Sequence, residues 1–226
     1  IPLGWFLNKN KILKNSNFGA INIEYISTLN SNYLIYLLGF AGISCCVAMS
    51  MPQVHIVSYC VGLGFGNTVG GQMLSLMLIG GVLSRLIFGF VVDKLGGIKT
   101  LLIGSVLQCL ALFLYLPFDG LVSLYLVSFL FGLSQGGIVP SYAIVVREFM
   151  PEKEAGSKIG FVVMATIVGM ALGGLLSGWI FDISGSYSAA FVNGIVWNCL
   201  NFGIVIFIYF KSKKVLPETQ SRFFKT

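Results

Sequence analysis

RLIFGFVVDKLGGIK, residues 85–99, is the stretch on which the fold turns. It opens with Arg85, runs through seven uncharged residues to Asp93 and Lys94, and closes on Gly96, Gly97 and Lys99. Such a run reads as an apolar helix that meets water at Asp93 and turns at the two glycines. Upstream, residues 70–92 carry no charge except Arg85, a length that crosses a ~30 Å hydrocarbon core at ~1.5 Å per residue.

The rest of the chain has the same character. Mean hydropathy is +0.90, with 56% hydrophobic and 10% charged residues, where a soluble domain carries about 25% charged residues. The chain therefore reads as an all-α polytopic membrane protein. Its 28 glycines fit that class, because small residues let helices approach closely where lipid supplies no hydrophobic drive between them.

Six apolar runs are long enough to span, at 33–56, 70–92, 99–117, 121–146, 159–181 and 189–210, within a transmembrane domain at 33–210. Ahead of them, 8–32 is rich in Asn, Lys and Ser and reads as a linker with little structure of its own. IPLGWFL at 1–7 lacks a charged n-region and a small-residue cleavage site, so it reads as the remnant of a preceding helix rather than a signal peptide. Residues 211–226 form a basic tail.

The charges alternate between connections. Lys9, Lys11 and Lys14 precede the first run; Lys94 and Lys99 follow the second; Arg147, Lys153 and Lys158 follow the fourth; Lys211, Lys213, Lys214, Arg222 and Lys225 follow the sixth. The other connections hold only Asp119 and Asp182. The positive-inside rule then places both ends in the cytoplasm, with an even number of spans. Three helices entering from one side must run opposite to the next three, which makes two inverted three-helix repeats.

The order Gly89-x-x-x-Asp93-Lys94-x-Gly96-Gly97-x-Lys99 resembles the loop signature of the major facilitator superfamily. There it recurs after the second and eighth helices, and its charges clasp neighbouring helices on the cytoplasmic side. Linker, six spans and tail are similar to the central loop and C-terminal half (helices seven to twelve) of such a transporter. The resemblance implies a missing N-terminal six-helix half as partner, a multi-pass protein of a bacterial inner membrane, and no enzymatic activity.

Ser84-Arg85-x-x-x-Gly89-x-x-x-Asp93-Lys94 is similar to the eighth helix of monocarboxylate and oxalate:formate porters, where the matching arginine holds the substrate carboxylate. By that resemblance the solute is a small organic anion such as a monocarboxylate, carried by proton symport or exchange. The acidic residue of the monocarboxylate branch is replaced by Gly81, and the lysine of the oxalate branch has no counterpart in 159–181. A transporter of another solute (a sugar or drug), a non-transporting membrane scaffold and an inactive truncated product remain open alternatives.

Arg85 lies eight residues before Asp93, ~12 Å deeper in the membrane. A cation there faces a wet cavity, snorkels to the interface, or pairs with a carboxylate of the other half. Met51-Pro52-Gln53-Val54-His55-Ile56-Val57-Ser58-Tyr59 also resembles the seventh helix of carboxylate-type porters. This makes His55 and Tyr59 candidates, although a lone histidine also serves as a satisfied structural donor. Gln135 precedes Gly136-Gly137-Ile138-Val139-Pro140, where proline interrupts the fourth span and either kinks it at a cavity or packs it tightly.

By the family resemblance, Gly89, Asp93, Lys94, Gly96 and Lys99 are expected as the gating loop, and Arg147 and Glu148, similar to the loop between helices ten and eleven, are expected to pair with it; a solvated loop explains the same charges. Gly169, Gly173, Gly174 and Gly178 read as packing positions. Asn193, Asn198 and Asn201 do not share one helical face and receive no role. The five cysteines show no zinc or redox spacing and read as core residues. Gly62-x-Gly64-x-Gly66 lacks nucleotide-binding spacing, and there is no Walker A sequence. No metal, cofactor or nucleic acid is expected, and the basic loops suit anionic lipid headgroups.

Overall fold

The computed structural model describes residues 24–27 and 30–215. The expected helix remnant at 1–7, the linker up to residue 23, residues 28–29 and the tail beyond 215 lie outside the described residues. Six helical spans run through the rest, each long and apolar enough to cross a membrane. They are α1 (Ser31–Gly62), α2 (Asn67–Leu95), α3 (Gly97–Leu114), a fourth span made of α4 (Leu121–Gln135) and α5 (Ile138–Phe149), α6 (Glu152–Ser184) and α7 (Tyr187–Lys211).

The expected spans are present, with α1, α2 and α6 extending a turn or more beyond the apolar runs because their polar ends still pair along the helix. Asn30 caps α1 by accepting from the Asn32 N–H at 3.1 Å. Part of the expected linker has structure. β1 (Glu24–Ser27) pairs antiparallel with β2 (Ser212–Val215), Tyr25 opposite Lys214. The segments before the first span and after the sixth therefore meet at one end of the bundle, the end that carries Lys94, Lys99, Arg147 and Lys158.

Packing reveals the repeat that the residues hide. α1, first of its triplet, packs mainly on α6, the second helix of the other triplet; the fourth span packs on α2 in the corresponding way. α1 also packs on α7 as the fourth span packs on α3, and α3 meets α7. Exchanging the two triplets maps each of these seams onto another or onto itself, as inverted repeats require.

Both principal seams are set by glycine. A Cβ on Gly169 would lie 2.6 Å from the Ile43 carbonyl oxygen, and one on Gly173 2.5 Å from that of Val47. Across the second seam, a Cβ on Gly80 would lie 2.8 Å from the Phe129 carbonyl, while Gly132 and Gly136 press onto the Met77 and Gly81 carbonyls. Glycine thus lets backbone meet backbone in both seams.

Candidate functional site

Arg85 follows from how α2 packs. Its buried residues, Gly70, Met73, Met77, Gly80, Ser84, Phe88 and Val92, recur at three- and four-residue spacing and face the bundle. Arg85 stands off that face and is exposed, in no ion pair among the described residues. Gly89, one turn on, has nothing within 4 Å of a would-be Cβ, so the space beside the guanidinium is open. A cation at this depth without a counter-charge in its own bundle needs water, an anion or a partner.

His55 is in a different situation. Its Nε2 donates to the Gly174 carbonyl of α6 at 3.0 Å, and Gly178 keeps the ring against that helix. Tyr59 lies one turn further on, in an aromatic cluster with Tyr187 at 5.6 Å and Phe191 at 5.4 Å between ring centroids. Gln135 is buried at the end of α4, and its Oε1 has no hydrogen-bond partner among the described residues. Arg85, His55, Tyr59 and Gln135 thus sit on three elements, and His55 and Tyr59 alone share a cluster.

The fourth span breaks where the sequence shows Gly136 and Gly137. Pro140 lies in the first turn of α5, where a missing N–H costs little. Proline does not by itself position the break. Gly136 presses on Gly81 and Gly137 on the Phe88 side chain, so close packing and interruption occur together.

The loop between α2 and α3, expected to gate, rests on two glycines with different tasks. Gly96 ends α2 and precedes α3 at φ 83°, a left-handed conformation that disfavours any side chain. Gly97 allows close approach: its N–H donates to Glu148 Oε1 at 2.8 Å, and a Cβ there would lie 2.8 Å from Val145 Cγ2 and 3.1 Å from Glu148 Oε2. Glu148 thereby places its carboxylate at the positive N-terminus of α3. Asp93, Lys94, Lys99 and Arg147 are exposed, with no ion pair among the described residues. Nearby, Lys158 pairs with Glu154 at 2.7 Å and donates to Ser31 Oγ at 2.7 Å, tying α6 to the start of α1.

A buried polar cluster escaped the sequence reading. Asn198 and Asn201 do share a face of α7, and both reach Ser105 of α3, through its carbonyl at 2.8 Å and its Oγ at 2.7 Å. One turn along α3, Gln108 donates to the Cys45 carbonyl at 3.3 Å. The available signal was the matched three-residue spacing of 105/108 and 198/201 in otherwise apolar helices; treating the three asparagines as one set concealed it. Cys45, Cys46 and Cys60 are buried as expected, whereas Cys109 is half-buried and Cys199 exposed.

Several known proteins are similar to this chain. Monocarboxylate transporter 13 of Rattus norvegicus is 27% identical over 144 residues, covering 63% of this chain and 34% of its own. Probable anion transporter 5 of Arabidopsis thaliana is 29% identical over 183 residues, or 77% and 42%. The chain thus spans well under half the length of these curated relatives. The crystal structure of the POT family transporter PepTSo superposes with a TM-score of 0.71 at 15% identity, over 82% of this chain and 39% of that one. The sequence profile described as Major Facilitator Superfamily matches residues 33–225. Apart from Ser31 and Asn32 at the start of α1, all six spans fall inside that region, and the chain belongs to the Major Facilitator Superfamily.

Proposed function

We propose that this chain is the C-terminal six-span half of a secondary transporter of small organic anions, and that Arg85 holds the carboxylate of the solute. The observation that carries this reading is the exposed guanidinium of α2, in open space beside Gly89 and in no ion pair among the described residues. A planar guanidinium grips a carboxylate through two parallel hydrogen bonds. The names of the relatives, a monocarboxylate transporter and a probable anion transporter, support the same solute class.

In this reading a second six-span half covers the open side of α2, and Arg85 faces a cavity shared by the halves. Rocking of one half against the other exposes the cavity to each side in turn. The end bearing Lys94, Lys99 and Arg147 is cytoplasmic, and proton symport or exchange supplies the drive. His55 contributes by holding α1 to α6, Tyr59 lines the opposite end, and Gln135 lies at the break of the fourth span. Around Gly96 and Gly97, Glu148 joins α5 to the start of α3 and acts with Asp93 and Lys94 as the cytoplasmic latch.

The test is uptake into proteoliposomes by the transporter that contains this chain and its partner half. The panel comprises a monocarboxylate, a dicarboxylate, inorganic phosphate and a neutral sugar at two external pH values. Arg85→Lys is expected to lower monocarboxylate uptake about tenfold or more, since lysine loses the fork. Unchanged uptake by that variant, or uptake confined to the sugar, would overturn the assignment.

A further inference from the structure

The two pieces of the fourth span share α3 and differ in their other neighbours: α4 packs on α2, and α5 on α6. α4 is seated against α2, where Gly132 and Gly136 meet the Met77 and Gly81 backbone. α5 is seated against the α3–α7 pair by a chain of side-chain hydrogen bonds. Tyr142 Oη donates to Asn201 Oδ1 at 2.6 Å, and Asn201 Nδ2 donates to Ser105 Oγ at 2.7 Å. All three residues are at most 1% exposed. Asn198 also holds the Ser105 carbonyl at 2.8 Å, so α3 and α7 act as one unit. Asn201 has its amide donor committed to that unit and its carbonyl oxygen to α5.

Between the two pieces, Gly136 and Gly137 lie outside both helices. Pro140 has no N–H to offer the Gly136 carbonyl, and long 3.3 Å bonds, Gly136 N–H to the Gly132 carbonyl and Ser141 N–H to the Gly137 carbonyl, flank the break, so the helical ladder is thinned there. α5 is therefore joined to α4 by a weak segment and to α3 and α7 by specific polar bonds. A second bond, Gly97 N–H to Glu148 Oε1 at 2.8 Å, holds the other end of α5 to α3. In a dry interior both ends of a broken hydrogen bond lose their partners together.

We propose that Asn201 is the positioning residue of α5: its bond to Tyr142, braced by Ser105, holds α5 in the seated position from which Glu148 reaches Gly97. Loss of the tie releases α5 about the Gly136–Gly137 break, independently of which solute the transporter carries. Tyr142 is the natural place to cut, since phenylalanine removes one oxygen and preserves the ring.

Hydrogen–deuterium exchange read by mass spectrometry, on the protein in lipid nanodiscs, tests this without any transported solute. Tyr142→Phe is expected to speed exchange across 138–149 by about three- to tenfold, the range that one net hydrogen bond supports. Exchange in α3 and α7 stays within about twofold of the parent, because their mutual bonds remain. Ser105→Ala, which touches the tie only through Asn201, speeds the same segment by a smaller factor. Combining it with Tyr142→Phe adds nothing further in α5, since the chain is already cut. Unchanged exchange in 138–149, an equal rise in α3, α5 and α7, or additive effects of the two substitutions would each overturn the proposal. If Tyr142→Phe does not yield folded protein, Ser105→Ala alone carries the test, and a segment-selective rise is again required.

Discussion

The seam between α1 and α6 and the seam between α2 and the fourth span are related by the inverted repeat, yet they solve the same packing problem differently. In the first, Gly169 and Gly173 of α6 meet the α1 backbone, Gly39 and Gly42 of α1 meet the Phe161 and Thr166 side chains, and α1 runs unbroken past Pro52. In the second, Gly80 and Gly81 face Gly132 and Gly136, and one of the helices is interrupted. Glycine facing glycine brings the backbones closer, at the expense of helix continuity, because glycine is the weakest ordinary helix former. The polar residues follow suit. His55 finds a carbonyl inside the first seam, whereas Arg85 stands outside the second with no ion pair among the described residues. The continuous seam satisfies its histidine, and beside the interrupted one a charge is left open.

The most damaging way to break this comparison is to widen the second seam. Gly132→Leu or Gly136→Leu must push backbone from backbone and is expected to cost about 3 kcal/mol or more. The expected readout is loss of the monodisperse folded peak in detergent. Gly174→Ala, on the first seam, is the control: its added carbon meets Val54 Cγ2 at 3.5 Å, an ordinary contact, so thermal stability should stay within about 0.5 kcal/mol. Equal loss from both substitutions would mean that the two seams do not differ as described.

The next effect concerns the two polar residues. Arg85→Lys should lower anion uptake about tenfold, whereas His55→Leu should cost about 1 kcal/mol of thermal stability with uptake per folded molecule retained. A strong uptake defect in His55→Leu at unchanged stability would move the functional centre to the first seam.

At the loop between α2 and α3, Gly96→Ala places a side chain in a left-handed conformation and is expected to cost about 1–2 kcal/mol. Gly97→Ala should cost about 1 kcal/mol by displacing Glu148. Combining Gly97→Ala with Glu148→Ala then adds little to either alone, and melting temperatures of the four proteins measure this. Smallest of all is Glu148→Gln, which keeps an oxygen for the Gly97 N–H and loses only the charge at the α3 N-terminus, about 0.5 kcal/mol. A larger loss would mean that the carboxylate has another partner.

Much of this was legible in the residues. Six spans, their approximate limits and the loop at Gly96–Gly97 follow from hydropathy and glycine spacing, because a membrane leaves a helix no other way to satisfy its backbone. Arg85 stood out because a charge in an apolar run is expensive wherever it points. The partner of Glu148 was read as the Asp93 loop in general; the structure narrows it to one backbone N–H of Gly97, which no charge count can select. Asn198 and Asn201 were passed over because a polar residue in a span looks the same whether it faces a cavity or a serine on the next helix.

By itself, then, the sequence determined that this is a membrane protein with six spans, a basic end and one isolated cation, since hydropathy and charge act locally along the chain. Only the tertiary structure decided that His55 is satisfied, that α5 is hydrogen-bonded to α3 and α7, and that the two triplets pack in corresponding seams. These outcomes depend on which helix faces which, and close approach at glycines far apart in sequence fixes that choice.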